Sequence, residues 1–179
     1  MIVRPGVPEE LRWFAAARFG MFVHFGVYAL LGRGEWVMYH ERIPRDQYRA
    51  LAARFDPSAF DADEWVDLAT AAGARYITCT AKHHDGFCLF DSQYTTYDAY
   101  DLLGRDLCRE IVDAVRAEGL KVGFYHSVID WHHPQYDYFK ADQLPHPLQG
   151  RPSPNGPRHH EIYVDYLHRQ ARELLSNYG

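Results

Sequence analysis

Three apolar runs, at residues 19–25, 76–81 and 120–128, recur along the chain with amphipathic stretches between them, and this alternation limits the fold more than any other feature. Apolar runs with little polar alternation are expected of strands covered on both faces. Their succession with helical segments and short helix-to-strand turns favours right-handed βαβ units in a parallel sheet. The residues with chemical potential sit at or after the C-terminal ends of the runs. His24 is followed by Glu35 and Trp36; Lys82, His83, His84 and Asp85 follow the second run; Tyr125, His126, Asp130 and Trp131 close the third. Loops after parallel strands share one face in (β/α) barrels and in doubly wound sheets. No glycine-rich phosphate turn joins a strand to a helix, so the expected fold class is α/β: a partial (β/α) barrel, TIM-barrel-like.

The helical segments carry their own signals. Residues 9–18 suit a short covering helix, and residues 45–54 a second. Over 61–72, Asp61 is a cap with Glu64 three residues on, Trp65, Leu68, Ala69 and Ala72 form an apolar stripe, and Gly73 is a stop. Over 106–118, Leu107, Ile111, Val112 and Val115 share one face, with Arg109, Glu110, Asp113 and Arg116 opposite. The last helix, 158–178, places Tyr163, Tyr166, Leu167, Ala171, Leu174 and Tyr178 on one stripe. Residues 134–157 are rich in proline, glycine and polar side chains, the pattern of a functional loop. Three strands leave two open edges, so residues 1–179 are expected to be the N-terminal portion of a single barrel domain. The fold would be truncated after the third strand and its following helix, with the remainder of the barrel absent.

Composition removes several function classes. At 47% hydrophobic and 24% charged residues, 179 residues suffice for a packed core. No apolar run approaches the roughly 20 residues of a membrane span, and the first ten residues lack signal-peptide character, which points to a cytoplasmic protein. A net charge of −5 with mixed signs offers nucleic acid no basic face. Cys79, Cys88 and Cys108 lack CxxC spacing and read as reduced core thiols.

The eleven histidines invite a metal site. Neighbouring side chains of an extended segment point to opposite faces, however, so His83–His84 and His132–His133 are poor ligand pairs, and HxH and HExxH patterns are missing. His132, His133, His159 and His160 read as solvent-exposed. Ser127 lacks the glycines of a nucleophile elbow, and no nucleotide fingerprint occurs, so neither metal nor cofactor is expected. Carboxylate chemistry on a sugar fits better, since it needs an acid and a nucleophile or base about 5–9 Å apart, with aromatic walls and hydroxyl partners. Glu35, Asp85, Asp91 and Asp130 are the carboxylates that could share the mouth. Asp85 alone has a plainer reading, as a partner of Lys82 or of a histidine.

Residues 19–26 (FGMFVHFG), Glu35-Trp36, residues 80–87 (TAKHHDGF) with Asp91-Ser92, and residues 119–125 (GLKVGFY) together resemble the retaining α-L-fucosidases of glycoside hydrolase family 29, in the right order over about residues 13–179. The resemblance implies that His24, Glu35, Trp36, His83 and His84 surround a fucose and bond its hydroxyls, and that Tyr125 lines the same pocket. Phe25 stands where many members have tryptophan. The family's nucleophile, an aspartate ending the fourth strand, and its later acid/base carboxylate have no counterpart here. The resemblance therefore implies no catalytic residue in this chain and an inactive 179-residue form. A complete form would hydrolyse terminal α-L-fucosyl residues of a fucosylated glycan or small fucoside, through a covalent glycosyl-enzyme. Two alternatives are a non-catalytic sugar-binding or half-barrel partner protein, and a metal-dependent barrel hydrolase.

Overall fold

A computed structural model describes residues 6–136 and 157–179. Three parallel strands, β1 (Met21–Val23), β2 (Tyr76–Lys82) and β3 (Lys121–His126), form one sheet in the order β1-β2-β3. Around them lie α1 (Arg12–Ala17), α2 (Val37–His40), α3 (Arg45–Leu51), α4 (Ala62–Ala71), α5 (Ala99–Leu103), α6 (Leu107–Ala117) and α7 (His160–Asn177). Single turns of 3-10 helix span Glu9–Leu11, Val27–Leu31 and Ala52–Arg54. Among the described residues no helix is long and apolar enough to cross a membrane.

The capping signals act as chemistry requires. Asp61 accepts from the backbone N–H of Asp63 and Glu64, and Asp106 from that of Arg109, each satisfying donors that a helix start leaves open. α6 buries Leu107, Ile111, Val112 and Val115, each worth about 1.5–3 kcal/mol of apolar burial. Ile111 and Val115 join Val66 and Ala69 of α4 against Ile77 and Cys79 of β2, forming the layer behind the sheet, while Leu107 and Val112 belong to a second core. This second core also gathers the 27–55 segment, the 87–99 loop and Trp131. All three cysteines are free and buried.

Several boundaries differ from the sequence reading. β1 is three residues long, not seven, and Phe22 is 51% exposed, so this strand is not covered on both faces. Among the described residues it pairs only with β2, and Phe22 is partly covered by the rings of His24 and Tyr125. β3 ends at His126, two residues short of the expected end, with Ser127 donating its N–H to the Lys82 carbonyl just beyond it. On α4, Leu68 is 64% exposed and the buried residues are Val66 and Ala69, so the inward stripe is rotated from the one expected. The short helices α2 and α5 were not foreseen. Most of the expected 134–157 loop lies outside the described residues.

Candidate active site

β2 carries the site at its C-terminal end. The register slips between Thr80 and Lys82, and the chain leaves the sheet into a turn in which Gly86 donates its N–H to the His83 carbonyl. His84 therefore lies in the turn rather than in a continuing strand, and the His83 and His84 rings lie near each other with centroids 4.2 Å apart. The opposite-face expectation fails for that reason. Trp131 donates its N–H to the His84 carbonyl at 2.7 Å, tying the turn to the loop after β3.

The remaining site candidates converge on this pair. His24, exposed just after β1, stacks on Phe22 at 4.8 Å and meets the edge of His83 at 5.4 Å. Tyr125 of β3 lies 6.2 Å from His24, 5.8 Å from His83 and 6.3 Å from His84. Trp36 closes the other end, 4.8 Å from His84 and 5.3 Å from Trp131. Glu35 is half-buried, and its carboxylate draws the His84 imidazole toward protonation, against the larger effect of burial. Three imidazoles, a phenol and an indole thus form one contiguous polar–aromatic cluster.

The other carboxylates do different things. Asp85 does not pair with Lys82; it accepts from the Tyr48 hydroxyl at 2.9 Å and from the Phe87 N–H. Lys82 pairs instead with Asp130 at 3.1 Å, both essentially fully buried, and its ammonium also lies over the rings of Tyr163 and Tyr166 of α7. Asp130 further accepts from the N–H groups of His132 and His133. It is a buried structural charge and does not face the mouth. Asp91 lines a separate groove with Gln93, Tyr94 and Asp101. His132 and His133 are half-buried rather than exposed, His132 stacking on Tyr97 at 4.3 Å, whereas His159 and His160 are exposed.

Residues that sequence reasoning passed over hold the cluster from behind. Thr80 donates to the Phe25 carbonyl and bonds the Tyr28 hydroxyl, which ties the segment after β1 to β2. Its signal was the period of two in Thr78, Thr80 and Lys82. Tyr48 had none, because its partner Asp85 is 37 residues away.

Burial sets the charge state of the cluster. It pushes His83, His84, His126 and His132 down to about 3, 4, 3 and 4, from an ordinary 6.5. Burial also pushes Asp85 up to about 7 from 3.8, and the bonds from Tyr48 and Phe87 only partly offset it. Unfolded imidazoles take protons below about 6.5 that the folded ones refuse, so each loses stability as pH falls from there toward its folded value. Asp85 acts in the opposite sense, losing stability as pH rises toward 7. Asp98, raised by burial to about 6, acts with Asp85, and His133, lowered by burial, with the other imidazoles; the imidazoles outnumber the carboxyls, so the urea midpoint is expected to be lower at pH 5 than at pH 7. A midpoint that rose on acidification would contradict the burial of these imidazoles.

The sequence pattern of the Alpha-L-fucosidase family matches residues 8–179. The rat tissue alpha-L-fucosidase is 38% identical over 151 residues, covering 74% of this chain and 33% of that enzyme. The alpha-L-fucosidase of Dictyostelium discoideum is 28% identical over 93% of this chain and 39% of its own length. Among solved structures, the alpha-L-fucosidase isoenzyme 1 of Paenibacillus thiaminolyticus is 49% identical with a TM-score of 0.88, over 96% of this chain and 41% of that one. The Lactobacillus casei alpha-L-fucosidase AlfC in complex with its alpha-L-fucose product is 33% identical with a TM-score of 0.85, over 96% of this chain and 60% of that one. The chain spans about a third of the rat enzyme and two-fifths of the Paenibacillus structure. By sequence pattern, identity and superposition alike, it belongs to the alpha-L-fucosidase family.

Proposed function

We propose that this chain forms the sugar-holding wall of an α-L-fucosidase pocket, within the N-terminal portion of a (β/α)-barrel catalytic domain. The convergence of His24, His83, His84 and Tyr125 from three consecutive strand ends carries the reading. It is the arrangement expected on one face of a barrel. The barrel reading is further supported by the outer edge of β3, which no strand among the described residues pairs. A cavity of about 390 Å³ runs there past Val122, Phe124, Leu174, Leu175 and Tyr178, an apolar lining suited to another strand.

The ligand is a terminal α-L-fucosyl group of a glycan or small fucoside. The imidazoles and Glu35 would bond its hydroxyls, with Trp36 and Tyr125 supplying flat apolar surface. A retaining mechanism needs two carboxyl groups about 5–5.5 Å apart, one attacking the anomeric carbon and one protonating the leaving oxygen. Of the four carboxylates considered, Asp85 and Asp130 are buried in internal bonds and Asp91 lines another groove. Glu35 alone stands beside the wall, so the reacting pair belongs to the remainder of the domain. The 179-residue chain is expected to show no turnover of an aryl α-L-fucoside above buffer. Robust hydrolysis by the purified chain, unaffected by a chelator, would overturn the division between holding and reacting parts.

A further inference from the structure

We propose that Ser127 is a positioning residue that fixes the tautomer of His84, leaving its Nε2 as an acceptor for a hydroxyl proton of the ligand. The inference rests on the sugar-holding reading of His84 and deepens it.

Ser127 is 1% exposed and lies just beyond β3, its backbone held by the N–H donated to the Lys82 carbonyl. Its Oγ has three neighbours: the Ile129 N–H at 3.0 Å, the Ile129 carbonyl at 2.7 Å and His84 Nδ1 at 2.6 Å. A hydroxyl has one proton to give. The Ile129 N–H can only donate and the Ile129 carbonyl can only accept. The set is satisfied when Ser127 donates to the carbonyl and accepts from both nitrogens. Were His84 Nδ1 bare, Ser127 would have to give its single proton to the ring, leaving the carbonyl without it. Nδ1 therefore carries a proton.

The ring is held in this orientation by Trp36 at 4.8 Å and Trp131 at 5.2 Å, and its backbone by the bond from the Trp131 N–H to the His84 carbonyl. Burial keeps the imidazole neutral near pH 7, holding it down to about 4. A neutral ring protonated on Nδ1 has a bare Nε2 on the side away from Ser127. Histidine free in water prefers the opposite form, so Ser127 imposes a minority state. The chemical consequence is selective: His84 takes a proton from a ligand hydroxyl, and an ether or fluorine at that position offers none. The pair of histidines is then not a uniform set of donors.

Nitrogen-15 histidine labelling and long-range proton–nitrogen correlation spectra of the sugar-free 179-residue chain at pH 7 test this. His84 is expected to show a protonated Nδ1, a bare Nε2 and a slowly exchanging Nδ1 proton with cross-peaks to Ser127. In Ser127→Ala the pattern should shift to Nε2–H or to a mixture, with the backbone spectrum retained. A wild-type His84 in the Nε2–H or doubly protonated form, or an unchanged Nδ1–H form in the variant, would overturn the proposal. Should Ser127→Ala not fold, the wild-type tautomer and the Nδ1 proton's cross-peaks still decide. Because no sugar is present, this result stands apart from fucose binding. A chain with the expected tautomer that ignores L-fucose would defeat the functional reading and leave the tautomer assignment intact.

Discussion

Replacing Asp130 with alanine is expected to destabilise the chain by about 3–5 kcal/mol, the usual consequence of stranding one member of a buried ion pair. Against a total stability of roughly 5–15 kcal/mol, that is enough to unfold a large share of the molecules. Three bonds are lost together: the one from Lys82 Nζ and those from the N–H groups of His132 and His133. Lys82 is left buried among Tyr163, Tyr166 and His126 with no carboxylate. Burial alone would push the Asp130 carboxyl up, but Lys82 and the His133 N–H hold it below its ordinary 3.8. Its contribution is therefore complete above about pH 4 and is lost as pH falls through the folded value. Asp130→Asn keeps an acceptor for the two N–H groups yet still strands the ammonium, and should cost nearly as much. Adding Lys82→Met to Asp130→Asn should restore much of the loss. Urea unfolding of the three variants checks the account. A double variant less stable than Asp130→Asn alone would show that the charge pair is not the source.

Gly86→Ala is the second large effect. Gly86 has φ +80°, and a Cβ there would lie 2.6 Å from His132 Cβ and 2.8 Å from Asp130 Oδ1. Neither neighbour can yield easily, since Asp130 is fixed by Lys82 and His132 Cβ is bound to its own backbone. The left-handed conformation costs an alanine about 1–2 kcal/mol and the overpacking about 1–3 kcal/mol more, so the total is about 2–5 kcal/mol. Gly104 is the internal control, with φ +69° and nothing within 4 Å of its Cβ position. Gly104→Ala should cost only the backbone part. Equal losses in the two variants would remove the steric argument. A larger loss at Gly86 would tie the His83–His84 turn to the loop carrying Asp130 and Trp131.

How far the sequence discloses the site depends on the range of each interaction. Periodicity is local, so the burial of Leu107, Ile111, Val112 and Val115 and the cap Asp61 could be read directly, whereas the cap at Asp106 was not. The alternation of apolar runs with helices likewise indicated a parallel α/β sheet, and the motif resemblance indicated the family. Partnerships across long separations could not be read. Lys82 has two carboxylates to choose from, the adjacent Asp85 and the distant Asp130, and only the folded path of the 126–133 loop selects Asp130. The close placement of His83 and His84 depends on the register slip at Lys82, which no composition rule signals. Ser127 was visible at a strand end, yet its use follows from His84, 43 residues away. β1 is shorter than its sequence suggests because Phe19, Phe22 and Phe25 read as a buried run, whereas Phe19 and Phe22 are about half exposed.

The central claim is that this chain holds the sugar and leaves the reaction to carboxylates outside it. Titrating the labelled, folded chain with L-fucose while observing the His24, His83, His84 and Tyr125 side chains tests it most directly. Affinity should be weak, with a Kd on the order of 1 mM or above, because one wall of a pocket buries little of the ligand. The account predicts saturable changes confined to those residues and to Trp36, with none on adding D-glucose at the same concentration. A folded chain whose spectrum is unmoved by L-fucose, or moved equally by D-glucose, would contradict it.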